Sequence, residues 1–197
     1  MTPVESLLRE IDTRWRLQVV AKIPLRFIGS TALLLQTQYN RGTKDGDILE
    51  TAELVAEARD HLLELAGEHT SLHKRHRLYI DIVSNGLPFL PHSPKYHPVQ
   101  SLASLLNFEV FTLDVIDVVV SKLKRFHAND QADIIAMIEA DHVPHAKLIE
   151  RFRSAVDVFL GDSRSDELPR YVRNLNRIER DQFGVDATEF EFPEWVA

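Results

Sequence analysis

Apart from an ambiguous tail at 188–196, the segments that favour β-structure lie within the first 114 residues, and this uneven distribution constrains the fold more than any other feature. Short runs predict strands at 25–28, 45–50, 78–83 and 108–113. Thr2, Pro3 and Glu5 fit an N-cap, a proline in the first turn and an acid reaching back, which predicts the start of a helix. Apolar residues up to Val19 continue at helical spacing, so we expect this helix to run to about Lys22. Two further helices are predicted between the strands, at 31–36 and 51–67.

The remainder of the chain is predicted to be mainly helical. Helical patterns cover 115–126, 130–140, 143–160 and 167–182. The prolines of segment 86–98 exclude a regular helix there and predict an ordered loop. The tail 188–196 alternates apolar and acidic residues, which predicts an edge strand or a strap across the surface. We therefore expect an α/β (α+β) fold, in which a mixed sheet with flanking helices (residues 1–114) is followed by a C-terminal helical region (115–197) packed on that core.

Composition excludes several classes of protein. The chain has no cysteine, which excludes disulfides and cysteine-ligated zinc or iron–sulfur sites. No stretch approaches the roughly 20 apolar residues of a membrane span. The N-terminus lacks the basic and apolar segments of a signal peptide, so we expect a cytoplasmic protein that does not bind membranes. A net charge of -7 argues against a protein that coats nucleic acid by bulk electrostatics.

Three carboxylates on predicted strands indicate a metal site. Asp45 and Asp47 are two residues apart on one strand, so both side chains project from the same face. Asp81 lies between Ile80 and Ile82, where we expect burial, and an unpaired buried charge is costly. A cation shared by the three acids would offset that cost. Oxygen ligands of this kind are those that Mg²⁺ prefers.

A strand, a Gly-Ser turn and a helix follow one another around residue 29. Gly29 allows the backbone to approach a ligand closely, and Ser30 adds a hydroxyl group. The helix that follows offers unpaired N–H groups and the positive end of its dipole to a phosphate. The sequence therefore predicts a phosphate site next to the carboxylates.

These residues resemble the motif pattern of the DNA polymerase β-like nucleotidyltransferase superfamily. That pattern consists of Gly-Ser, here Gly29 and Ser30, then a spacer, an Asp-x-Asp pair, here Asp45 and Asp47, and a third acid on a later strand, here Asp81. The resemblance implies a nucleotidyltransferase-type sheet. It also implies that the Asp-x-Asp pair would ligate both metal ions and that the third acid would complete the catalytic metal site.

A narrower resemblance concerns one bacterial branch of this superfamily. Residues 27–50 are similar to the branch that contains nucleotidyltransferase toxins of abortive-infection and toxin–antitoxin systems. That branch also has a later helix with a Lys-Leu pair, a basic residue and an acidic continuation. Lys122 and Arg125, followed by Asp130 and Asp133, are similar. The nucleotide-binding set that we predict on this basis is Gly29, Ser30, Lys44, Lys122 and Arg125.

Each acidic feature also has an interpretation that involves no function. The Asp-Gly-Asp sequence at 45–47 is typical of a solvated turn, because Asp-Gly favours hairpins. The strand acid Asp81 is also compatible with a simple ion pair to Arg77 or Lys74. Glycine at position 46 and the long spacer before it depart from the superfamily, where an apolar residue and a shorter spacer are usual.

The basic and histidine-rich segments allow alternatives as well. Lys122 and Arg125 are compatible with an ordinary solvated helix face. His69, His73 and His76 recur at helical spacing, which is compatible with a zinc site, a basic surface that contacts RNA or a triphosphate, or a plain solvated helix end.

The leading hypothesis is a magnesium-dependent nucleotidyltransferase. It would transfer a nucleoside monophosphate from a nucleoside triphosphate to a hydroxyl group of RNA, a protein or a small molecule. A toxin-type effector with a partner antitoxin is implied by the resemblance only. A second hypothesis is a catalytically silent protein of the same fold that binds a nucleotide or a partner, and a third is a regulatory scaffold with no nucleotide site.

Overall fold

The structure of the protein, a computed structural model, describes residues 2–18 and 20–196. These residues form two compact units. The first comprises the described residues up to Leu87 together with Tyr96–Asp114, and the second comprises Pro88–Lys95 together with the described residues from Val115 onward. The sequence suggested a single division after residue 114, whereas the structure also assigns 88–95 to the second unit. The predicted fold class, a mixed sheet with flanking helices and a C-terminal helical region, is confirmed.

The first unit is built on a five-stranded mixed sheet. Its strands are β1 (Ile23–Phe27), β2 (Asp45–Leu49), β3 (Tyr79–Val83), β4 (Tyr96–Pro98) and β5 (Phe108–Leu113). Their order across the sheet is β3-β2-β1-β5-β4. β1 pairs in parallel with β5 and antiparallel with β2, while β2 pairs in parallel with β3. The strand that carries the Asp-x-Asp pair is therefore an inner strand, flanked by β1 and β3.

Helices and alternating strands build the core of this unit. Its helices are α1 (Pro3–Arg14), α2 (Gly29–Gln36), α3 (Ala56–Ala66) and α4 (Ser71–His76). The capping box predicted for α1 is present, since the Glu5 N–H donates to Thr2 Oγ1 at 3.2 Å and the Thr2 N–H donates to Glu5 Oε2 at 2.6 Å. Leu25 and Phe27 of β1 are fully buried, as expected where every second side chain of a strand faces the core.

The first helix ends at Arg14, and its predicted extension to Lys22 is wrong. Trp15 leaves the helix with ψ of 133° and is buried, with its ring centroid 4.7 Å from that of Phe108. Burial of this large ring in the core contributes more stability than a longer helix would, so the helix ends here. Val19, which the predicted helix included, lies outside the described residues.

Most other boundaries differ from the prediction by a few residues, and two differences are larger. The segment 86–98 is not a loop throughout, because Tyr96–Pro98 forms β4, antiparallel to β5. Its proline is tolerated since β4 is an edge strand. The helix predicted at 51–67 begins only at Ala56, because the Leu54 N–H first closes a turn on the Thr51 carbonyl at 3.1 Å.

The second unit is helical. Its helices are α5 (Val115–Arg125), α6 (Ala128–Glu139), α7 (His145–Phe159) and α8 (Leu168–Ile178), and a π-helical turn (Glu179–Phe183) follows. α5 contacts each of the other three. Aromatic rings fill the space between them, with Phe89 centred 5.0–5.3 Å from Phe152, Phe159 and Tyr171. Within residues 2–18 and 20–196, no helix has both the length and the apolar character needed to cross a membrane.

The tail crosses the second unit as a strap. In its described part, 188–196, no strand forms, so the edge-strand alternative is wrong. Thr188 donates its backbone N–H to Glu179 Oε2 at 2.9 Å. Phe190 places its ring 5.3 Å from that of Phe152 and under the guanidinium of Arg153, 4.7 Å from the ring centroid. These contacts hold the chain against α7.

Candidate active site

The sheet brings Asp45, Asp47 and Asp81 onto one face. β2 and β3 are parallel, and their register places Asp47 opposite Asp81 and Asp45 opposite Tyr79. Register partners in neighbouring strands project to the same side, as do residues two apart on one strand. Asp45 and Asp47 are half-buried, and Asp81 is exposed. The first unit therefore presents three carboxylates side by side.

Asp81 is exposed, so the expectation that it is a buried charge is wrong. The flanking residues Ile80 and Ile82 face the other side of the strand, which leaves the acid on the open face. Its Oδ1 accepts a hydrogen bond from the Ile82 N–H at 2.9 Å. Among the described residues, neither Lys74 nor Arg77 forms a salt bridge with it, so the simple ion-pair interpretation is also wrong.

The Gly-Ser turn lies directly against the Asp-x-Asp strand. α2 begins at Gly29, which has a left-handed φ of 62°, and its N-cap residue Ile28 makes no side-chain capping bond. The Ile28 N–H donates to the Asp47 carbonyl at 2.9 Å. A Cβ placed on Gly29 would be 2.8 Å from Asp47 Oδ2. Glycine is favoured here, because any other residue is strained at this backbone angle and its Cβ would displace the adjacent carboxylate.

Three residues that sequence reasoning did not select support the site. The hydroxyl of Thr43 donates to Asp45 Oδ1 at 2.9 Å, and that of Thr31 donates to the Asp45 carbonyl at 2.8 Å. Arg41 Nη2 donates to Ser30 Oγ at 2.9 Å. The spacing of Thr43 and Asp45 is a local signal, since Ser and Thr hydroxyls bond to residues close in sequence. Arg41 gave no comparable signal, because its partner is eleven positions away in the chain.

Gly46 is accommodated by its neighbours, although it departs from the superfamily pattern. It is buried on the face of β2 opposite to the carboxylates. A Cβ added there would be 3.2 Å from both Ile80 Cδ1 and Phe27 Cε1. These side chains fill the space that a larger residue would occupy. Glycine at this position therefore does not change the face on which Asp45 and Asp47 lie.

The carboxylates act electrostatically on one phenol. The pKa of Tyr79 is raised, first by burial of the ring. The negative charges of Asp45, Glu68, Asp81 and Asp47 raise it further, in that order. Negative charge from this part of the sheet therefore reaches Tyr79.

A known protein family matches most of the chain. The family model described as "Nucleotidyltransferase of unknown function (DUF6036)" matches residues 7–182. The chain belongs to this family. Searches of curated proteins and of solved structures found no match. The family supports a nucleotidyltransferase assignment, whereas the resemblance to toxin-type members stays a prediction.

The basic residues that are predicted to bind a nucleotide lie in contrasting environments. Lys44 is exposed just before β2, and its carbonyl accepts from the Tyr79 N–H at 3.1 Å. Lys122, in the second unit, is buried with Nζ 3.1 Å from Asp130 Oδ1 and 2.8 Å from Asp133 Oδ2. A solvated helix face does not describe it. Contact of these residues with a nucleotide stays a prediction.

Arg125 occupies a different environment from Lys122, although both belong to α5. Its side chain is 63% exposed, with Nη2 3.3 Å from Asp130 Oδ1. The solvated-face interpretation therefore describes Arg125, whose contact with a nucleotide also stays a prediction.

The histidines of the basic segment do not form one helical face. α4 begins at Ser71, and the preceding His69 has φ of 69° and donates its backbone N–H to His73 Nδ1 at 2.9 Å. His76 Nε2 lies 2.7 Å from Glu10 Oε2. Throughout residues 2–18 and 20–196, no three His, Asp or Glu side chains converge closely enough to hold a metal ion. This finding gives the zinc interpretation no support, and it applies to the three aspartates as well.

Proposed function

We propose that the protein is a magnesium-dependent nucleotidyltransferase that transfers a nucleoside monophosphate from a nucleoside triphosphate to a hydroxyl group. The observation that carries the proposal is the position of the Gly-Ser turn. It lies against Asp47, which is itself the register partner of Asp81. A phosphate at the start of α2 would then adjoin a row of carboxylates. Membership of the nucleotidyltransferase family supports the same activity.

The carboxylates fit magnesium as a ligand set that the substrate completes. Mg²⁺ is commonly held by one or two carboxylates, by water and by the phosphates of a substrate, and seldom by a cage made of protein alone. Asp45 and Asp47 would supply the shared protein oxygens, and Asp81 would add one at the catalytic position. The described residues form no closed three-residue cluster, so water and the substrate would have to supply the remaining ligands. Magnesium would neutralise charge on the phosphates and activate the attacking hydroxyl.

Residues of the chain would orient the triphosphate, accept the proton and hold the pyrophosphate. The N–H groups at the start of α2 and the Ser30 hydroxyl would orient the triphosphate. The acceptor oxygen would bond to the α-phosphorus while the bond to the pyrophosphate oxygen breaks. Asp81 would take the acceptor proton, since its exposed carboxylate can then pass that proton to water. The pyrophosphate would leave, and Lys44 would help to hold its charge.

The acceptor and the biological role are inferred from the resemblance alone. RNA, a protein and a small molecule each provide the hydroxyl group that the reaction needs. A toxin-type effector with an antitoxin partner is the role that the resemblance of residues 27–50 implies. The phosphate contacts of Lys122 and Arg125 belong to the same set of predictions.

A second candidate is a catalytically silent nucleotide-binding protein. It is favoured by the engagement of site residues within the chain, since Thr43 bonds to the carboxylate of Asp45 and Arg41 bonds to the hydroxyl of Ser30. Such a protein would bind magnesium and a triphosphate without turnover.

Transfer of label from triphosphates labelled at the α-phosphate distinguishes the two candidates. The purified chain would be incubated with magnesium, each triphosphate in turn, and RNA, protein or small-molecule fractions, and pyrophosphate would be measured in parallel. The proposal predicts labelled acceptor and equal pyrophosphate, both lost in Asp81→Asn. The variant Glu57→Gln, which removes an exposed charge from α3, is the control and should keep the activity. Binding without transfer to any fraction would favour the silent protein.

A further inference from the structure

A cavity of about 460 Å³ opens within the first unit, next to the candidate active site. It lies between the start of α1, the end of α2 and the connection from α2 to β2. Its volume is within the range of about 300–1,000 Å³ that small-molecule sites occupy. The roles proposed above for the carboxylates and the Gly-Ser turn do not use this space.

The cavity adjoins the site through two of its lining residues. Arg41, on its wall, donates to the Ser30 hydroxyl at 2.9 Å. Thr43, also on its wall, donates to Asp45 Oδ1 at 2.9 Å. A molecule in the cavity is therefore one side chain away from both the proposed phosphate site and the proposed metal site.

The lining combines apolar walls with amide groups. Val4 and Leu78 are buried and supply apolar surface. Gln38 and Asn40 are exposed, and each amide side chain offers both hydrogen-bond donors and an acceptor. Tyr39 adds an aromatic ring to the same lining. Apolar walls with a few polar groups are typical of sites that bind small organic molecules.

We propose that this cavity binds the nucleobase of the nucleoside triphosphate. The inference rests on the proposed function, because the phosphates held at the Gly-Ser turn determine how far the nucleoside can reach. Base edges carry donors and acceptors that amide side chains match in pairs, and base faces stack on aromatic rings. Gln38 and Asn40 would read the edge of the base. Tyr39 and the apolar walls would contact its faces.

Calorimetric titration of the full chain in magnesium tests the inference. The probes are the four common ribonucleoside triphosphates and inorganic tripolyphosphate, which has the phosphates but no base. We expect at least one triphosphate to bind about tenfold or more tightly than tripolyphosphate. In Gln38→Ala/Asn40→Ala, that triphosphate should bind about fivefold or more weakly, while tripolyphosphate binds as before.

Two further variants complete the titration, a control outside the cavity and a second test variant inside it. Asn85→Ala/Gln100→Ala removes two exposed amides of the first unit that lie outside the cavity, and it should bind both probes normally. Leu34→Trp fills the cavity and should weaken the triphosphate alone. Circular dichroism would verify that each variant is folded.

The outcomes separate this inference from the function on which it rests. If triphosphates bind no better than tripolyphosphate, the base is not recognised and the inference is wrong, while the phosphate and metal site stands. An unchanged preference in both cavity variants would mean that the base lies elsewhere and would overturn the inference as well. If neither probe binds to the native chain, the proposed function fails and this inference fails with it.

Discussion

The two units of the chain treat their charged residues in opposite ways. In the first, Asp45 and Asp47 are half-buried and Asp81 is exposed on one face of the sheet. In the second, charged side chains are buried in matched sets, such as Lys122 between two aspartates and Asp117 against Arg151. The second arrangement stabilises a folded unit only while every partner is present. The first leaves negative charge accessible to a ligand.

The difference between buried and accessible charges indicates which charged residues belong to a functional site. A charged residue inside an apolar pattern has the same appearance in the sequence whether it is paired in a core or placed at a site. The structure separates Lys122, which is 3% exposed, from Asp81, which lies open to solvent. We therefore expect substitution of the buried charges to change stability, and substitution of the carboxylates on the sheet face to change ligand binding.

The largest effect is expected for Lys122→Met. The substitution leaves Asp130 and Asp133 buried without their ammonium partner, and the free energy of unfolding should fall by about 3–5 kcal/mol. Urea denaturation measures the change. Arg125→Met is the matched control, because Arg125 contacts the same Asp130 from an exposed position, and it should cost no more than about 1 kcal/mol. Equal losses in the two variants would contradict the contrast between buried and exposed charges.

A smaller loss is expected for Arg151→Lys. Arg151 donates from Nε at 2.6 Å and from Nη2 at 2.7 Å to the two oxygens of Asp117. Lysine cannot form this bidentate contact. The free energy of unfolding should fall by about 1.5–3 kcal/mol, the usual contribution of hydrogen bonds to a charged group. The same denaturation experiment on Arg173→Lys, an exposed position on α8, provides the comparison. If that control loses as much, burial of the pair is not the cause.

In the first unit, Gly29→Ala should destabilise the protein by about 1–3 kcal/mol, because alanine is strained at a left-handed φ. The new Cβ would also displace the carboxylate of Asp47, so magnesium-dependent binding of triphosphate should weaken. Thermal unfolding and titration measure the two effects. Gly161→Ala, in the second unit, is the control, since Gly161 has no left-handed φ and the nearest atom to a Cβ placed there is 3.8 Å away. Normal binding by the Gly29 variant would show that the turn does not position the site.

The smallest effect concerns the pKa of Tyr79. Burial raises that pKa most, and the sheet carboxylates raise it further. In Asp45→Asn/Asp47→Asn we expect the pKa of Tyr79 to fall part of the way towards its ordinary value. Ultraviolet difference titration of the tyrosines measures it, with Tyr79→Phe to assign the signal. An unchanged titration would mean that Asp45 and Asp47 do not act electrostatically on Tyr79.

Much of the first unit could be predicted from the sequence, because its signals are local. The strand at Phe108–Leu113 was predicted with its observed bounds, and the capping box at the start of α1 was predicted correctly. The end of α1 was not, since it depends on Trp15 packing against a residue on β5. The strand β4 was missed because its pairing with β5 is a tertiary feature and the prolines of segment 86–98 indicated a loop.

The candidate site was predictable in outline but not in its environment. Side-chain alternation placed Asp45 and Asp47 together, while the pairing of Asp47 with Asp81 required the strand register. Burial was the least predictable property, since Asp81 and Lys122 both interrupt apolar runs and only packing separates them. The contact of Arg41 with Ser30 joins two elements, and no local pattern indicates it.

The most direct test of the central claim is the free energy of unfolding with magnesium and each nucleoside triphosphate. It would be measured for the native chain, for Asp45→Asn/Asp47→Asn and for Glu57→Gln/Glu64→Gln, which removes the same charge from exposed positions on α3. With ligand at about one hundred times its dissociation constant, the account predicts a gain of about 2.7 kcal/mol. That gain should appear in the native chain and the α3 variant and be lost in the Asp45/Asp47 variant. Equal stabilisation of all three proteins, or of none, would contradict the account.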